Sequence, residues 1–334
     1  MIRRWQFWVG VAISALFLFF AFRGVDWVAA WQAVRTARWP WLLPAWACLL
    51  ISYMARARRW RSLLVSFQPV SWPLAWQATM VGLVSNNVLP ARIGELVRAF
   101  ILGQKTNINA ALALGTIAVE RTFDVLMTCL LLVFGVTWSV LGDTGYSLWV
   151  GMAVVGGVIA GVLTMALWGE RLIDRGERLI ARFSPTWAGR LSAPARLFVR
   201  GLRVAGRPRQ FFGLAIWTTV VWGTFMGYGG FILRALGMSI SPAGLAFLFG
   251  VAGLGIAIPS APGSVGTLEY AYVFGLDMLR IGDSSTRISF ALIYHALEWA
   301  TTLGLGLICL GQLGMSLRQI SRAAETDLAG SRAR

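Results

Sequence analysis

Six stretches of this chain, at about 5–22, 39–55, 110–138, 148–168, 211–236 and 287–313, are apolar runs with few charges. Most approach the roughly 20 residues a helix needs to cross a bilayer. A soluble fold has no way to cover so many. Composition agrees: 57% of residues are hydrophobic, 13% are charged and mean hydropathy is +0.67. Soluble proteins carry roughly twice that share of charge. The fold class is therefore all-α, a polytopic integral membrane helical bundle.

Charge sets the orientation. The net charge is +16, and every basic residue except Lys105 is Arg. Such a balance can indicate nucleic acid. Here the Arg residues fall in short segments between apolar runs, where they orient a membrane protein and attract anionic headgroups, so no nucleic-acid partner is expected. "RARRWR" (56–61) follows the second run, and ten Arg lie between Gly169 and Gln210. The loop at 139–147 has no basic residue. Both termini, the 56–72 loop and the 169–210 segment are placed in the cytoplasm, and the protein in a bacterial inner membrane. The basic start resembles a signal peptide, but without a cleavage site it reads as an uncleaved first helix. The 169–210 segment reads as basic amphipathic helices lying on the membrane surface. Residues 316–334 read as a disordered basic tail.

This orientation leaves two places where the chain must return to the side it came from. The arms 73–89 and 93–104, and the arms 243–258 and 267–280, are each shorter than a span. Two re-entrant hairpins satisfy both constraints, giving six spans plus two hairpins; eight full spans is the alternative. The hairpin turns match in register. "PARIGELVRAF" (90–100) and "PGSVGTLEYAY" (262–272) share Pro, Ile/Val, Gly, Leu, Ala and an aromatic residue. Helix, hairpin, helix thus occurs twice, at about 39–138 and 211–313, as an inverted repeat within one membrane domain (1–315).

Non-helical backbone at membrane depth survives only inside protein or beside a wet cavity. Pro90 and Pro262 break a helix, and Gly94, Gly263 and Gly266 allow close approach or positive φ. Asn86 and Asn87 can cap exposed backbone groups. The half-helix starting near Ile93 would present N–H groups beside Arg92 and Arg98, a setting for a lipid phosphate. Glu95 and Glu269 complete the candidate headgroup residues. Glu120, Arg121, Asp124, His295 and Glu298 form a candidate intramembrane charge network, since unpaired charges there are expensive. Arg121 is expected to pair with Asp124 or Glu95, and His295 with Glu298 or Glu269. The alternatives are a structural ion-pair network and a proton-coupled one. Asp277 and Asp283 are placed at the outer mouth.

Cys48, Cys129 and Cys309 show neither metal spacing nor a disulfide framework. No phosphate-binding loop, dinucleotide fingerprint or catalytic triad pattern occurs, so no cofactor or metal and no enzymatic reaction are expected.

The motifs "NNVLPARIGELVRAFIL", "VERTFDVL" and "PSAPGSVGTLEYAYVFGL", in that order, resemble the lysylphosphatidylglycerol synthase transmembrane-region family, also called flippase-like domain proteins. The resemblance covers roughly residues 5–315. It implies a lipid translocator. With only about twenty residues after the last apolar run, it implies a stand-alone one, without a synthase domain. Membrane lipids with an anionic headgroup are the implied partners. A non-transporting role beside a lipid-modifying or glycosyl-transferring enzyme is the alternative. At the last-helix motif the resemblance leads one to expect Arg, and this sequence has His295.

Overall fold

The computed structural model describes residues 4–89, 93–140, 147–182 and 208–316, with isolated positions between 184 and 196. Among these the fold is helical and has no strand. Eleven α-helices are described: α1 Arg4–Phe22, α2 Trp27–Arg35, α3 Leu42–Leu64, α4 Trp72–Val88, α5 Gly94–Lys105, α6 Ala110–Gly135, α7 Ser147–Ala181, α8 Pro208–Ala235, α9 Pro242–Ala257, α10 Thr267–Met278 and α11 Ser284–Leu313. The chain is a multi-pass membrane protein. By length and apolar composition, 112–140, 210–235 and 284–313 can each cross a bilayer, and α1 with α2 makes a fourth candidate bent by 82°. Exposed Trp39, Trp138 and Trp149 stand near helix ends, where an indole is apolar in body and polar at its N–H, whereas Trp168, also exposed, lies within α7.

Two expectations need correction. The 56–72 segment is not wholly a loop, because α3 continues through Leu64 and buries Arg59, which is 2% exposed. The 169–210 segment is not a separate surface element throughout. Its first dozen residues extend α7, whose 35 residues are about 52 Å long and exceed the ~30 Å hydrocarbon core. Arg196 folds back on that extension, pairing with Asp174 and Glu177 at 2.7 and 2.6 Å. Most of 183–207 and the 317–334 tail lie outside the described residues. α2 was not foreseen. Asp26 caps it by accepting from Val28 and Ala29 N–H, and it exposes Trp27, Val28 and Trp31.

The short arms form two helical hairpins, α4–α5 and α9–α10, and the two use the same local devices. Ser71 caps α4 and Ser241 caps α9, each with Pro in the first turn. Each first arm stops at a residue that precedes Pro and is extended: Leu89 at φ −96°, ψ 144° before Pro90, and Ile258 at φ −70°, ψ 129° before Pro259. Each second arm has 12 residues, about 18 Å. None of the four arms reaches span length.

Packing follows the same duplication. α3 lies antiparallel to α8, with Cys48 facing Gly227 and Ser52 Oγ donating to the Val221 carbonyl. α4 packs on α11, through Val84 against Gly306, and α9 packs on α6, through Phe247 against Gly135. Each hairpin thus leans on the long helix that follows the other hairpin. α5 packs on α6 and α10 on α11. The apolar core runs through this assembly, with Leu49, Met80, Ile101, Tyr228 and Phe290 fully buried.

Candidate functional site

The first hairpin closes on its own backbone. A Cβ on Gly94 would lie 2.0 Å from the Gly82 carbonyl oxygen, so only glycine permits this approach of α5 to α4. Gly94 N–H donates to Asn86 Oδ1 at 2.8 Å. Asn86 therefore caps the second arm through that oxygen, as a short polar side chain at an exposed helix start should. Asn87 Nδ2 is buried and has no partner. Pro90 and Arg92 lie outside the described residues.

Beside this hairpin three helices, α3, α5 and α6, bring their charges together, and α8 adds neutral partners. Glu120, 1% exposed on α6, receives Arg59 Nε on one oxygen at 3.2 Å and Arg98 Nη2 on the other at 2.9 Å. Asp124, one turn on, is held bidentately by Arg59 at 2.7 and 3.1 Å. It also receives Trp222 Nε1 from α8 at 3.3 Å. Arg121 meets both expected partners, Glu95 at 2.8 Å and Asp124 at 3.3 Å. Arg98 lies over the Trp60 ring at 4.1 Å, and Arg56 over the Phe225 ring at 4.8 Å. Arg59 also donates to Thr218 Oγ1 at 3.0 Å, joining α3, α6 and α8.

The cluster does not balance. Arg56, Arg59, Arg98 and Arg121 supply four positive charges, and Glu95, Glu120 and Asp124 supply three negative ones. The Nε atoms of Arg56 and Arg98 are buried without a partner. Most of these groups, with Thr79, Gly82 and Asn86, line one cleft. The Glu95–Arg121 pair stands at its exposed side, with side chains 37% and 42% accessible. The free volume inside is about 10 Å³, room for a single water. Arg56 and Arg59 were missed because "RARRWR" reads as a cytoplasmic charge run. The available signal was the spacing of Tyr53, Arg56, Arg59, Trp60 and Leu63, which continues the buried face of α3 past its apolar run.

The second hairpin is built differently. Its turn is longer and passes through Gly263 at φ 71° and Gly266 at φ 89°, both left-handed. A Cβ on Gly266 would meet the Ser14 carbonyl of α1 at 2.3 Å, and one on Gly263 the Trp299 ring at 2.4 Å. Glu269, 4% exposed, accepts Gly266 N–H on Oε2 at 2.7 Å and contacts His295 Nδ1 through Oε1 at 2.5 Å. Of the two expected partners for His295, the structure selects Glu269. Glu298 accepts from the Tyr53 hydroxyl at 3.5 Å. The 262–264 turn, beginning at Pro262, packs on α4, so the second turn touches the first hairpin. Glu269, Gly263, Gly266 and His295 come together here. They do not join the arginine cleft.

At the outer mouth proposed for Asp277 and Asp283, both carboxylates are engaged. Asp277 pairs with Arg287. Asp283 caps α11, and the Thr286 backbone N–H holds its carboxyl below the usual carboxylate range. Among the described residues, no group of His, Cys, Asp and Glu has an arrangement that could hold a metal ion.

Comparison with known proteins adds a family and two relatives. The family described as the lysylphosphatidylglycerol synthase TM region matches residues 7–306. The glycosyltransferase AglD of Haloferax volcanii is 27% identical over 280 residues, which is 72% of this chain and 43% of the relative. The chain thus spans less than half the length of that protein. The UPF0104 membrane protein MJ1078 of Methanocaldococcus jannaschii is 25% identical over 234 residues, covering 67% of this chain and 91% of the relative. No solved structure matches.

Proposed function

The chain belongs to the lysylphosphatidylglycerol synthase transmembrane-region family, and from that membership we propose that it moves a phosphate-bearing, anionic lipid between the leaflets of a bacterial inner membrane. The observation that carries this reading is the arginine cleft. A surplus positive charge and two unpartnered guanidinium nitrogens, buried at the turn of a short hairpin, call for an anion. A lipid phosphate supplies one while its tails stay in the bilayer. Asn87, with a free donor, adds to the headgroup contacts in this proposal.

The cleft holds about one water as it stands, so the headgroup enters only when the first hairpin shifts against α6. The matched packing of 39–138 and 211–313 suits that motion. In this reading the two sets are inverted repeats, both hairpins are re-entrant, both termini are cytoplasmic, and the halves rock about the α3–α8 contact. The protein performs no chemical reaction on the lipid.

A second reading is favoured by one comparison, the name of the haloarchaeal relative, a glycosyltransferase. In that reading the chain is a non-transporting membrane partner of a glycosyl-transferring or lipid-modifying enzyme. Liposomes containing the purified protein and fluorescent lipids separate the two. The translocator reading predicts protein-dependent loss of outer-leaflet label for an anionic lipid, abolished by Arg98→Ala. Equal rates in empty and protein-bearing liposomes for every anionic lipid tried would reject it.

A further inference from the structure

His295 is the chain's single histidine and is 6% exposed. Both of its ring nitrogens face oxygen atoms. Nε2 lies 3.0 Å from the Gly263 carbonyl, and Nδ1 lies 2.5 Å from Glu269 Oε1. A carbonyl oxygen only accepts, so Nε2 must carry a proton. Nδ1 then has two options. It carries a second proton and donates to an ionised Glu269, or it is bare and accepts from a protonated Glu269. Two bare lone pairs at 2.5 Å are excluded by repulsion. Both options contain one proton more than a neutral histidine beside an ionised carboxylate.

We propose that the His295–Glu269 pair is a proton-binding site that fastens the second hairpin, and that uptake and release of its proton drives lipid movement. The second half of this proposal rests on the translocator reading; the first does not. Removing the proton breaks one of two links. Either the ring loses its bond to Gly263, or the bare nitrogen faces Glu269. The same carboxylate holds Gly266 N–H through Oε2 at 2.7 Å. The freed segment is the left-handed Gly263–Gly266 turn, clasped between Trp299 and Ser14.

The groups facing the pair carry its change of charge toward the other hairpin. Glu269 comes from α10 and the Gly263 carbonyl from the turn. Trp299 places its ring edge-on to the imidazole at 5.7 Å. Glu298 stands one turn along α11, within electrostatic reach of His295. From α3, the Tyr53 hydroxyl reaches Glu298 at 3.5 Å, and Arg56 lies within electrostatic reach of Glu298 on one side and Asp124 on the other. With the proton bound, Glu269, His295 and Glu298 sum to one negative charge. Without it they sum to two. Arg56, whose Nε has no hydrogen-bond partner, is drawn toward Glu298 in the second state, and the cleft loses its surplus charge. Proton release at one hairpin therefore weakens anion binding at the other.

A single histidine makes the test direct. The wild-type protein, purified without a histidine tag and placed in lipid nanodiscs, is labelled with ¹⁵N-histidine, and the ring signals are followed with pH. At pH 7 two protonated ring nitrogens are expected. The equivalent result is one protonated nitrogen with an infrared carboxylic-acid band that disappears in Glu269→Gln. A bare nitrogen beside an ionised Glu269, or titration at the ~6.5 of free histidine, would overturn the proton site. The second arm measures anionic-lipid movement in liposomes under an imposed pH gradient. The rate should change about tenfold per pH unit beyond the midpoint seen by resonance, the slope of one linked proton. His295→Gln should flatten that slope. Lipid movement independent of pH in a protein that holds the proton would overturn the coupling. A bound proton with no lipid movement at any pH would reject the translocator reading while leaving the proton site standing.

Discussion

The two hairpins share a backbone plan and differ in the charge placed on it. In both, a serine-capped helix stops before a proline and a 12-residue helix starts at or just after the matching glycine: Gly94 is the first residue of α5, and Gly266 immediately precedes α10. In both, that glycine N–H is taken by a side-chain oxygen. The oxygen is the neutral amide of Asn86 in the first and the carboxylate of Glu269 in the second. A helix start carries roughly half a positive charge. Glu269 meets it by direct contact in the second hairpin; in the first the contact is the neutral Asn86, and the first-turn carboxylate, Glu95, is turned to Arg121. The second hairpin is also clasped by α1, through Ser14 Oγ accepting Ala261 N–H at 2.8 Å. The first opens to a cleft at Glu95 and Arg121. One device thus yields a closed, self-neutralised turn and an open, positive one.

The sharpest way to break this comparison is to remove the carboxylate each site depends on. Glu120→Gln leaves Arg59 and Arg98 buried against a neutral amide, and breaking a buried pair costs about 3–5 kcal/mol. Glu269→Gln keeps an oxygen for Gly266 N–H and disturbs one contact, at about 1–3 kcal/mol. Thermal unfolding in detergent should rank Glu120→Gln well below Glu269→Gln. Equal losses would mean that the two sites carry charge alike.

Glycine replacement asks whether the shared plan is real. Gly94→Ala drives a methyl into the Gly82 carbonyl oxygen, and Gly266→Ala adds a left-handed strain to a clash with Ser14. Each should cost about 1–3 kcal/mol or more. Gly115→Ala, with nothing within 4 Å, should be neutral or stabilising by ~0.5–1 kcal/mol. The comparison fails if Gly94→Ala and Gly115→Ala melt together.

A third test separates stability from binding. Arg56→Met replaces the guanidinium over Phe225 with an uncharged thioether and removes the surplus charge. Because Arg56 Nε has no partner, the melting temperature should hold or rise. Anionic-lipid movement should fall about tenfold, equivalent to ~1.4 kcal/mol in the barrier. Unchanged movement would remove the cleft from the transport path.

Much of this contrast was legible from residue chemistry. Charges inside apolar runs cannot be left unpaired, so Glu120, Arg121, Asp124, His295 and Glu298 stood out, and the Arg121 pairs formed with both partners expected. The arms declared themselves by being too short. What stayed hidden has physical causes. Arg59 sits where α3 leaves its apolar run, and hydropathy cannot tell a helix that continues into buried polar contacts from a loop. Which carboxylate His295 would choose depended on how α10 lies against α11, a tertiary fact. The clasp of Ser14 on the second turn joins residues about 250 positions apart, and a lone serine in an apolar helix signals nothing. α2 was missed because nine residues between two apolar runs are too few to register as a span, although Asp26 with Trp27 and Trp31 is a capped, surface-lying pattern.

The finest test concerns the caps at which the two hairpins begin. Ser71 Oγ accepts Leu74 N–H at 3.4 Å, a long bond, and Ser241 Oγ accepts Gly244 N–H at 3.0 Å. Loss of a serine cap costs typically ~1 kcal/mol. Ser241→Ala should therefore lower stability by about that amount, and Ser71→Ala by less. The order follows from more than bond length. Ser71 is exposed, where water replaces the lost acceptor, and Pro73 in the first turn of α4 already removes one N–H that needs a partner. α9 also has its proline, at Pro242, and Ser241 is exposed as well, but the Gly244 that donates to it is buried, so its N–H has less access to water. Ser241→Asp, which restores an acceptor, should recover the loss. If both alanine variants melt equally, the first turns of the two hairpins are energetically the same, and their difference lies wholly at the far end, in Asn86 and Glu269.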